Sequence, residues 1–351
     1  MLAGMTAAST NGKETDAGSF KRLPCKVANA FFCLCFAGLF LLITSLSGQS
    51  ARLSSIRYHD LKSGRHLYLR DVARFYGMNY SVTEKDAQLQ SRYSSILFSR
   101  DKRIFKFNGM EANLSFAVTV ERNEMLLAQT DFQHFIDPIL RRDTIPRRRI
   151  QHIMLDPGHG GNDPGAQYHG VVEKNVNLLL SRRIAAILRK RGYRVSLTRD
   201  QDRLLRLEQR TAYAKRMQPD LFLSIHCNAI NNPSVHGIET YIINPANTPS
   251  SGGNVFAKKA APGNSFDREN ALLGYLMHSK LLALTNAQDR GIKRKQFYVI
   301  REVPCPAALL ELGFLSHSGE RQRLLESYYQ DKLAVAVCDA VEEFDRALKP
   351  R

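Results

Sequence analysis

The chain has 351 residues, a length that suggests about two domains on a scale of roughly 100–200 residues per domain and leaves ample chain for a buried core. Hydrophobic residues make up 44% and charged residues 24%, which excludes a wholly disordered, collagen-like or polytopic membrane protein. The net charge of +17 favours polyanionic surroundings such as nucleic acid, anionic lipid or an acidic wall polymer, but it does not choose among them.

The first fifty residues have the pattern of an export signal. Lys21, Arg22 and Lys26 precede an apolar run over residues 27–46, and small residues follow at 47–51. This order predicts a secretory signal peptide. The alternative is an uncleaved N-terminal membrane anchor, because about 20 apolar residues just span a bilayer. We therefore expect export to the periplasm or cell envelope.

Residues 56–140 alternate short apolar stretches with turn residues. They predict a helix that closes at Gly77 and a hairpin turn at Asn108-Gly109. Three strands are expected, at 96–98, 104–107 and 116–120. No His, Cys or carboxylate cluster at ligand spacing occurs in this segment, so a small α+β accessory module with a wall-binding or scaffold role is indicated. Its arrangement resembles the copper-amine-oxidase N-terminal-like module.

An arginine-rich segment at 141–149 is predicted to be a solvated linker that lets the two parts move somewhat independently, with a basic docking strip as the alternative. From residue 150 the apolar period changes repeatedly between strand and helix. This alternation predicts an α/β domain over 150–346 with a mostly parallel sheet flanked by helices on both faces. Such sheets place their sites at the carboxyl ends of the strands.

Candidate site residues follow the predicted strands of this domain. His159 lies in a glycine-rich loop after one strand, and His226 and Glu311 follow two others. Glu173 directly precedes a helix. Two imidazoles and one carboxylate are typical of a catalytic zinc with an open fourth position, and a second carboxylate, Glu311, suits proton transfer. Individually these residues also fit a turn histidine, a core histidine and a helix-capping charge; their coincidence at one end of one sheet favours a site.

Several sequence segments then give a specific resemblance. They occur in the order seen in the zinc-dependent N-acetylmuramoyl-L-alanine amidases of the type-3 family, over about residues 150–346. The segments are LDPGHGGNDPGA, VEKNVNL, LTRDQD, LFLSIHCNA, HGIETYI and ALLELGFLSHSGE.

The resemblance implies residue roles. His159, Glu173 and His226 would bind one zinc ion per chain, and Glu311 would be catalytic. Arg199 and Arg210 stand where the family has arginines and are interpreted as mostly structural. His317 is a departure, because the family often has asparagine there, and it puts only a secondary contact in doubt.

The implied activity is cleavage of the amide between N-acetylmuramic acid and the L-alanine of the stem peptide, in cell-wall remodelling or daughter-cell separation. Peptidoglycan is then the expected partner, together with anionic wall or membrane polymers and a protein activator, whereas nucleic acid is not expected. Two alternatives stay open: a related zinc carboxypeptidase or deacylase on the same fold, and a catalytically inactive wall-binding protein.

Three cysteines remain beyond the predicted signal, Cys227, Cys305 and Cys338. Their spacing resembles no metal knuckle, and it allows either one disulfide with a free thiol or three buried thiols. Cys227 lies beside His226, but adjacent strand residues point to opposite faces, so we expect Cys227 to pack in the core.

Overall fold

The computed structural model describes residues 56–253, 256 and 259–350, so the predicted export signal lies outside the described residues. Three sheets are formed there: one of eleven strands, one of four strands and a short hairpin. No helix in this part of the chain is long and apolar enough to cross a membrane.

The N-terminal part, up to residue 140, is mainly antiparallel. Strands β3 to β7 form a meander, and the four-stranded sheet has the order β1-β2-β9-β8. The elements are β1 (Tyr58–Leu61), β2 (Gly64–Tyr68), α1 (Leu69–Phe75), β3 (Asn79–Val82), β4 (Asp86–Gln90), β5 (Ser95–Ser99), β6 (Ile104–Phe107), β7 (Met110–Asn113), β8 (Thr119–Glu121), β9 (Glu124–Ala128), α2 (Gln129–Asp131), a π-helical turn (Phe132–Ile136) and α3 (Asp137–Leu140).

The C-terminal part alternates strands and helices. Its elements are β10 (His152–Pro157), β11 (Gln167–Tyr168), β12 (Val171–Val172), α4 (Glu173–Lys190), β13 (Arg194–Leu197), α5 (Leu207–Met217), β14 (Leu221–Asn228), β15 (Ile238–Ile242), α6 (Asp267–Thr285), β16 (Asp289–Arg294), α7 (Tyr298–Arg301), β17 (Ala307–Phe314), α8 (Ser318–Leu325) and α9 (Ser327–Leu348).

The predicted α/β class is confirmed. The eleven-stranded sheet has the order β13-β10-β14-β17-β15-β16-β7-β6-β5-β4-β3, and the first four of these strands are mutually parallel. Strand β15 runs antiparallel to β17, so the sheet as a whole is mixed.

Both faces of the parallel part are covered, because side chains alternate along each strand. Leu223 and Ile225 belong to the core shared with α4, α6 and α9. Phe222 and Met154 belong to a second core with Ala214 of α5 and with α7.

The two parts of the chain share the large sheet, which the sequence did not lead us to expect. Strand β7 pairs in parallel with β16 at Ala112 and Ile292. The backbone N–H of Glu111 donates to Asp289 (2.8 Å), and Asn113 donates to the carbonyl of Ile292 (3.2 Å). Residues 56–350 therefore belong to one compact unit, and the limits of the accessory module stay a prediction.

The arginine-rich segment 141–149 contacts the C-terminal helices. Arg142 pairs with Glu343 of α9 at 3.0 Å, and Arg148 pairs with Glu269 of α6 at 3.2 Å. Several of its guanidinium groups are thus held against folded structure, and the predicted independent motion finds no support in these contacts.

One local expectation differs from the structure. The strand predicted at 116–120 is displaced to Thr119–Glu121, because the N–H groups of Ser115 and Phe116 donate to the buried carboxylate of Asp131 instead of a neighbouring strand.

The structure decides between the two alternatives for the cysteines beyond the predicted signal. Cys227, Cys305 and Cys338 are three free, buried thiols.

Candidate metal centre

The loop after β10 presents His159. This residue has a left-handed backbone conformation (φ 60°), which is uncommon for a residue with a side chain. Two buried arginines hold the loop. Arg210 donates to the carbonyls of Pro157 (2.8 Å) and His159 (2.7 Å), and Arg199 donates to the carbonyl of Gly158 (2.8 Å). The structural interpretation of both arginines fits these contacts.

Three of the predicted site residues meet at the carboxyl end of the sheet. Glu173 is the first residue of α4, and its carboxylate lies 3.2 Å from Nε2 of His159 and 3.0 Å from Nδ1 of His226. One ligand atom from each residue lies within 4.8 Å of the others, which is close enough to hold one metal ion. All three side chains are largely buried.

Strand β14 extends further than the sequence indicated. His226 was expected to follow the strand, but β14 continues to Asn228, so His226 lies within it. Its neighbour Cys227 is fully buried in the core on the opposite side, as expected. Only its backbone N–H reaches the site, where it donates to Glu173 at 3.3 Å.

Hydrogen bonds fix the carboxylate of Glu173. It accepts from the N–H of Ala166 (2.9 Å) and from Nδ2 of Asn177 (3.1 Å). Burial alone would raise the pKa of Glu173, but the bonds to His159 and His226 outweigh it and hold that pKa well below its usual range. The carboxylate is therefore ionised, as a metal ligand must be.

Asp163 orients His159 and was not among the residues predicted from the sequence. Its carboxylate lies 2.9 Å from Nδ1 of His159, so Nε2 faces Glu173. A carboxylate on the far nitrogen of a histidine is a common support for a metal ligand. The only available signal was that Asp163 follows His159 by four residues in the same loop.

Two glycines leave the space that the site needs. A Cβ atom on Gly158 would lie 2.1 Å from Cε1 of His226, and one on Gly165 would lie 2.5 Å from Oε2 of Glu173. Any side chain at these positions would displace the imidazole of His226 or the carboxylate of Glu173. Together with the two-histidine, one-carboxylate donor chemistry, this cradle fits a zinc ion.

Glu311 lies beside the cluster. It pairs with His226 across β14 and β17 and with Glu239 across β17 and β15, so the three side chains share one face of the sheet. Burial, followed by the carboxylates of Glu173 and Glu239, raises the pKa of Glu311 well above its usual range. Its Oε2 has no hydrogen-bond partner among the described residues.

Glu239, in contrast, is well compensated. It accepts from Nε of Arg290 (2.9 Å), from the hydroxyl of Tyr241 (2.6 Å) and from Lys293. Burial raises its pKa, but Lys293 and the other donors outweigh that effect and lower it. Glu311 is thus the acid in this row that lacks a cationic hydrogen-bond partner in the described chain.

A cavity of about 300 Å³ opens at this end of the sheet. Its lining includes His159, His226 and Glu311. Residues of the segment before α5 and of the start of α7 also line it. The two histidines and Glu311 therefore border a common space that a substrate can enter.

His317 lies outside this cavity. It precedes α8, and its Nδ1 accepts a hydrogen bond from the N–H of Glu320 at 3.1 Å. An asparagine side chain can accept the same bond, which explains how histidine is tolerated there.

Comparison with known proteins identifies the family of the C-terminal part. Residues 153–343, more than half of the chain, match the model of the N-acetylmuramoyl-L-alanine amidase family, Amidase_3. The chain belongs to this family. The enzyme class implied by the sequence resemblance, N-acetylmuramoyl-L-alanine amidase, is therefore confirmed. Enzymes of this class hydrolyse peptidoglycan.

Individual relatives cover the same domain. The amidase is 33% identical over 193 residues to the uncharacterized protein YqiI of Bacillus subtilis, covering 55% of this chain and 84% of that protein. It is 34% identical over 195 residues to the N-acetylmuramoyl-L-alanine amidase LytC of the same organism, covering 55% of this chain but only 35% of LytC.

A solved structure aligns with the same region. The catalytic domain of CwlV, an N-acetylmuramoyl-L-alanine amidase from Bacillus (Paenibacillus) polymyxa var. colistinus, is 30% identical, with a TM-score of 0.47. The alignment covers 56% of this chain and 98% of that domain.

Proposed function

We propose that this chain hydrolyses the amide between the lactyl group of N-acetylmuramic acid and the L-alanine of the stem peptide. The observation that supports it most is the meeting of His159, Glu173 and His226 beside Glu311 in one cavity. The three ligands would hold one zinc ion, which when bound supplies Lewis-acid polarisation of the carbonyl and activation of water.

Glu311 moves the protons in this proposal. Without a metal ion, its surroundings disfavour the ionised form. A dication held by the three ligands would offset this effect and favour the carboxylate, which would take a proton from the attacking water and return it to the nitrogen of the leaving L-alanine. Transfer by a positioned group of this kind accelerates a reaction by about 10²–10⁴-fold.

The remaining residues of the site keep the ligands in place. Asp163 holds His159 with Nε2 toward the metal position, while Asn177 and the N–H of Ala166 hold Glu173. Arg199 and Arg210 hold the loop that bears His159. This support keeps the ligand geometry when the substrate enters.

The proposal includes the cellular setting. The pattern over residues 21–51 would export the chain to the periplasm or cell envelope, either cleaved or anchored through residues 27–46. Residues 56–140 would position the enzyme on the wall, and the positive charge would favour anionic wall or membrane polymers. A protein activator fits the same setting.

Product analysis tests the activity. Purified wall sacculi are incubated with zinc-loaded residues 51–351, and the products are identified by mass spectrometry. We expect stem peptides with a free N-terminal L-alanine and glycan strands with unsubstituted lactyl groups. The Glu311→Gln variant serves as the matched control, because it keeps the side-chain shape while removing the proton acceptor.

Other products would identify a different activity. Release of a single residue from the carboxyl end of the stem would identify a carboxypeptidase, and release of a small acyl group would identify a deacylase. Binding to sacculi without any cleavage, by protein that holds zinc, would identify an inactive wall-binding protein.

A further inference from the structure

The cavity beside the metal centre is lined by two kinds of residue. Some are histidines and carboxyl groups at the centre, namely His159, His226, Asp163 and Glu311. Others are apolar, with Leu204 and Leu207 from the segment before α5 and Phe297 and Val299 around the start of α7. Leu204 and Leu207 are each 49% exposed, which is high for leucines that line a cavity. Their exposed apolar surface suits contact with a bound molecule.

Arg206 lies between these two leucines and lines the same cavity. It precedes α5, and its backbone N–H donates to Oε1 of Gln209 at 2.8 Å, so its main chain is held in place. Its side chain is exposed. Within residues 56–253, 256 and 259–350, no hydrogen bond or ion pair involves its guanidinium group.

The other arginines near the centre differ from Arg206. Arg199 and Arg210 are buried and bonded to the His159 loop, and Arg203 donates to the carbonyl of Thr198 at 3.1 Å. Their guanidinium groups already form hydrogen bonds within the folded chain. Arg206 is the arginine of this group whose donors remain available to a ligand in the described structure.

We propose that Arg206, Leu204 and Leu207 form a subsite for the stem peptide, in which Arg206 binds a carboxylate of the residue after the L-alanine. The inference rests on the proposed function. Arg206 lines the cavity together with Asp163 and Glu311, and its guanidinium group has no partner among the described residues, so it is available to pair with an anionic group of a bound peptide. A guanidinium group is suited to bind a carboxylate through two parallel hydrogen bonds.

The test uses two soluble muramyl-peptides that differ in one group. In the first substrate, the residue that follows the L-alanine of the stem peptide has a free carboxylate. In the second substrate, that carboxylate is amidated. The zinc-loaded enzyme, residues 51–351, is assayed with both. We expect a KM about threefold to tenfold lower for the free carboxylate, because an exposed charge pair contributes modestly to binding.

The Arg206→Gln variant should remove this preference. The KM for the carboxylate substrate should rise to the value for the amidated one, with kcat little changed, because the contact exists equally in the ground and transition states. Arg206→Lys should restore part of the preference. The preference of the unmodified enzyme should also fall as salt concentration rises.

Arg216→Gln is the matched control. Arg216 is an exposed arginine at the other end of the same helix, and it does not line the cavity. The Arg216→Gln substitution removes the same charge as Arg206→Gln and should leave the substrate preference intact.

Three results would overturn the inference. These are equal KM values for both substrates in the unmodified enzyme, an equal effect of Arg206→Gln on both substrates, or an equal loss of preference in Arg216→Gln. Failure of the proposed function is distinguishable, because then neither substrate would be cleaved at the lactyl amide by any variant.

Discussion

Two regions of the amidase differ in the partners that their ionisable side chains have. At the metal centre, Glu173 contacts two histidines, and Glu311 has an oxygen with no hydrogen-bond partner in the described chain. At the junction, defined as the contact of β16 and α6 with residues 103–137, Asp131 is paired with Arg294 at 3.1 Å, and both side chains are fully buried. Nε and Nη2 of Arg294 have no hydrogen-bond partner among the described residues, but the opposite charge of Asp131 is in contact. Asp137 is likewise bonded to Arg141 and Arg268.

This difference indicates that the metal centre serves activity and that the junction serves stability. An unmatched buried acid costs stability, and natural proteins retain such groups mainly where they act. A matched buried pair gives little net stability, but loss of one partner leaves an unpaired charge. We therefore expect substitutions at the metal centre to affect activity more than stability, and substitutions at the junction to do the reverse.

The largest expected effect is on activity in Glu311→Gln. Turnover should fall by about 10²–10⁴-fold, because the variant has no proton acceptor at this position. Zinc content should be unchanged, and the free energy of unfolding should be equal or higher, since an unmatched buried acid is replaced by a neutral amide. Steady-state kinetics and urea denaturation measure the two effects. Wild-type turnover would assign proton transfer to another residue.

At the junction, Asp131→Asn should reduce the free energy of unfolding by about 3–5 kcal/mol, because it leaves Arg294 buried and unpaired. Adding Arg294→Met should recover part of that loss. Asp101→Asn is the control, since its pair with Arg100 is exposed and the expected change is below about 1 kcal/mol. A small effect of Asp131→Asn in urea denaturation would contradict the contrast between the two regions.

Asp267 also lies at the junction, but within the described residues it has no bonded cation like that of Asp131. It accepts from Asn264 (2.9 Å) and lies 3.8 Å from Nδ1 of His134. Burial raises the pKa of Asp267 from 3.8 to about 7, and burial lowers the pKa of His134 to about 4. Between these two values both groups are neutral in the folded protein.

The pH dependence follows from this shift. Between pH 4 and pH 7 the folded state keeps a proton on Asp267 that the unfolded state has lost, so the contribution of Asp267 to stability decreases as pH rises. Neutral His134 contributes the opposite slope between about pH 4 and its ordinary pKa of about 6.5, because there the unfolded state binds a proton that the folded state lacks. Asp267→Asn removes only the first contribution, so the stability of the variant should rise more steeply between pH 4 and pH 6.5 than that of the unmodified protein, and its free energy of unfolding at pH 8 should be higher by about 1–3 kcal/mol. Parallel stability curves for the two proteins, measured by urea denaturation at several pH values, would show that Asp267 titrates normally.

The sequence predicted the C-terminal elements well, because each of their patterns can be recognised from residues that are neighbours in the sequence. Apolar runs such as 221–225 and the helix pattern that closes before Gly192 need no distant partner to be recognised. The pairing of β7 with β16 joins residues about 180 positions apart, and β16 has the polar sequence DRGIKR. Helix α5 was also missed, because its buried residues are Arg210, Thr211 and Ala214 rather than an apolar stripe.

The same distinction applies to the site. The sequence placed His159, Glu173, His226 and Glu311 at one end of a parallel sheet, and the structure brings the first three together with Glu311 beside them. Their roles as ligands and proton carrier stay predictions. Asp163, Asn177 and Arg206 were not predicted, because their importance depends on which atoms they contact and which cavity they face.

Metal analysis tests the central claim most directly. Zinc is measured in native protein and in the variants His159→Ala and His226→Ala by elemental analysis. We expect about one zinc ion per chain in native protein and a large loss in both variants, since each removes one of three protein ligands. Less than half an equivalent of any transition metal in undepleted protein, or unchanged occupancy in the variants, would contradict it.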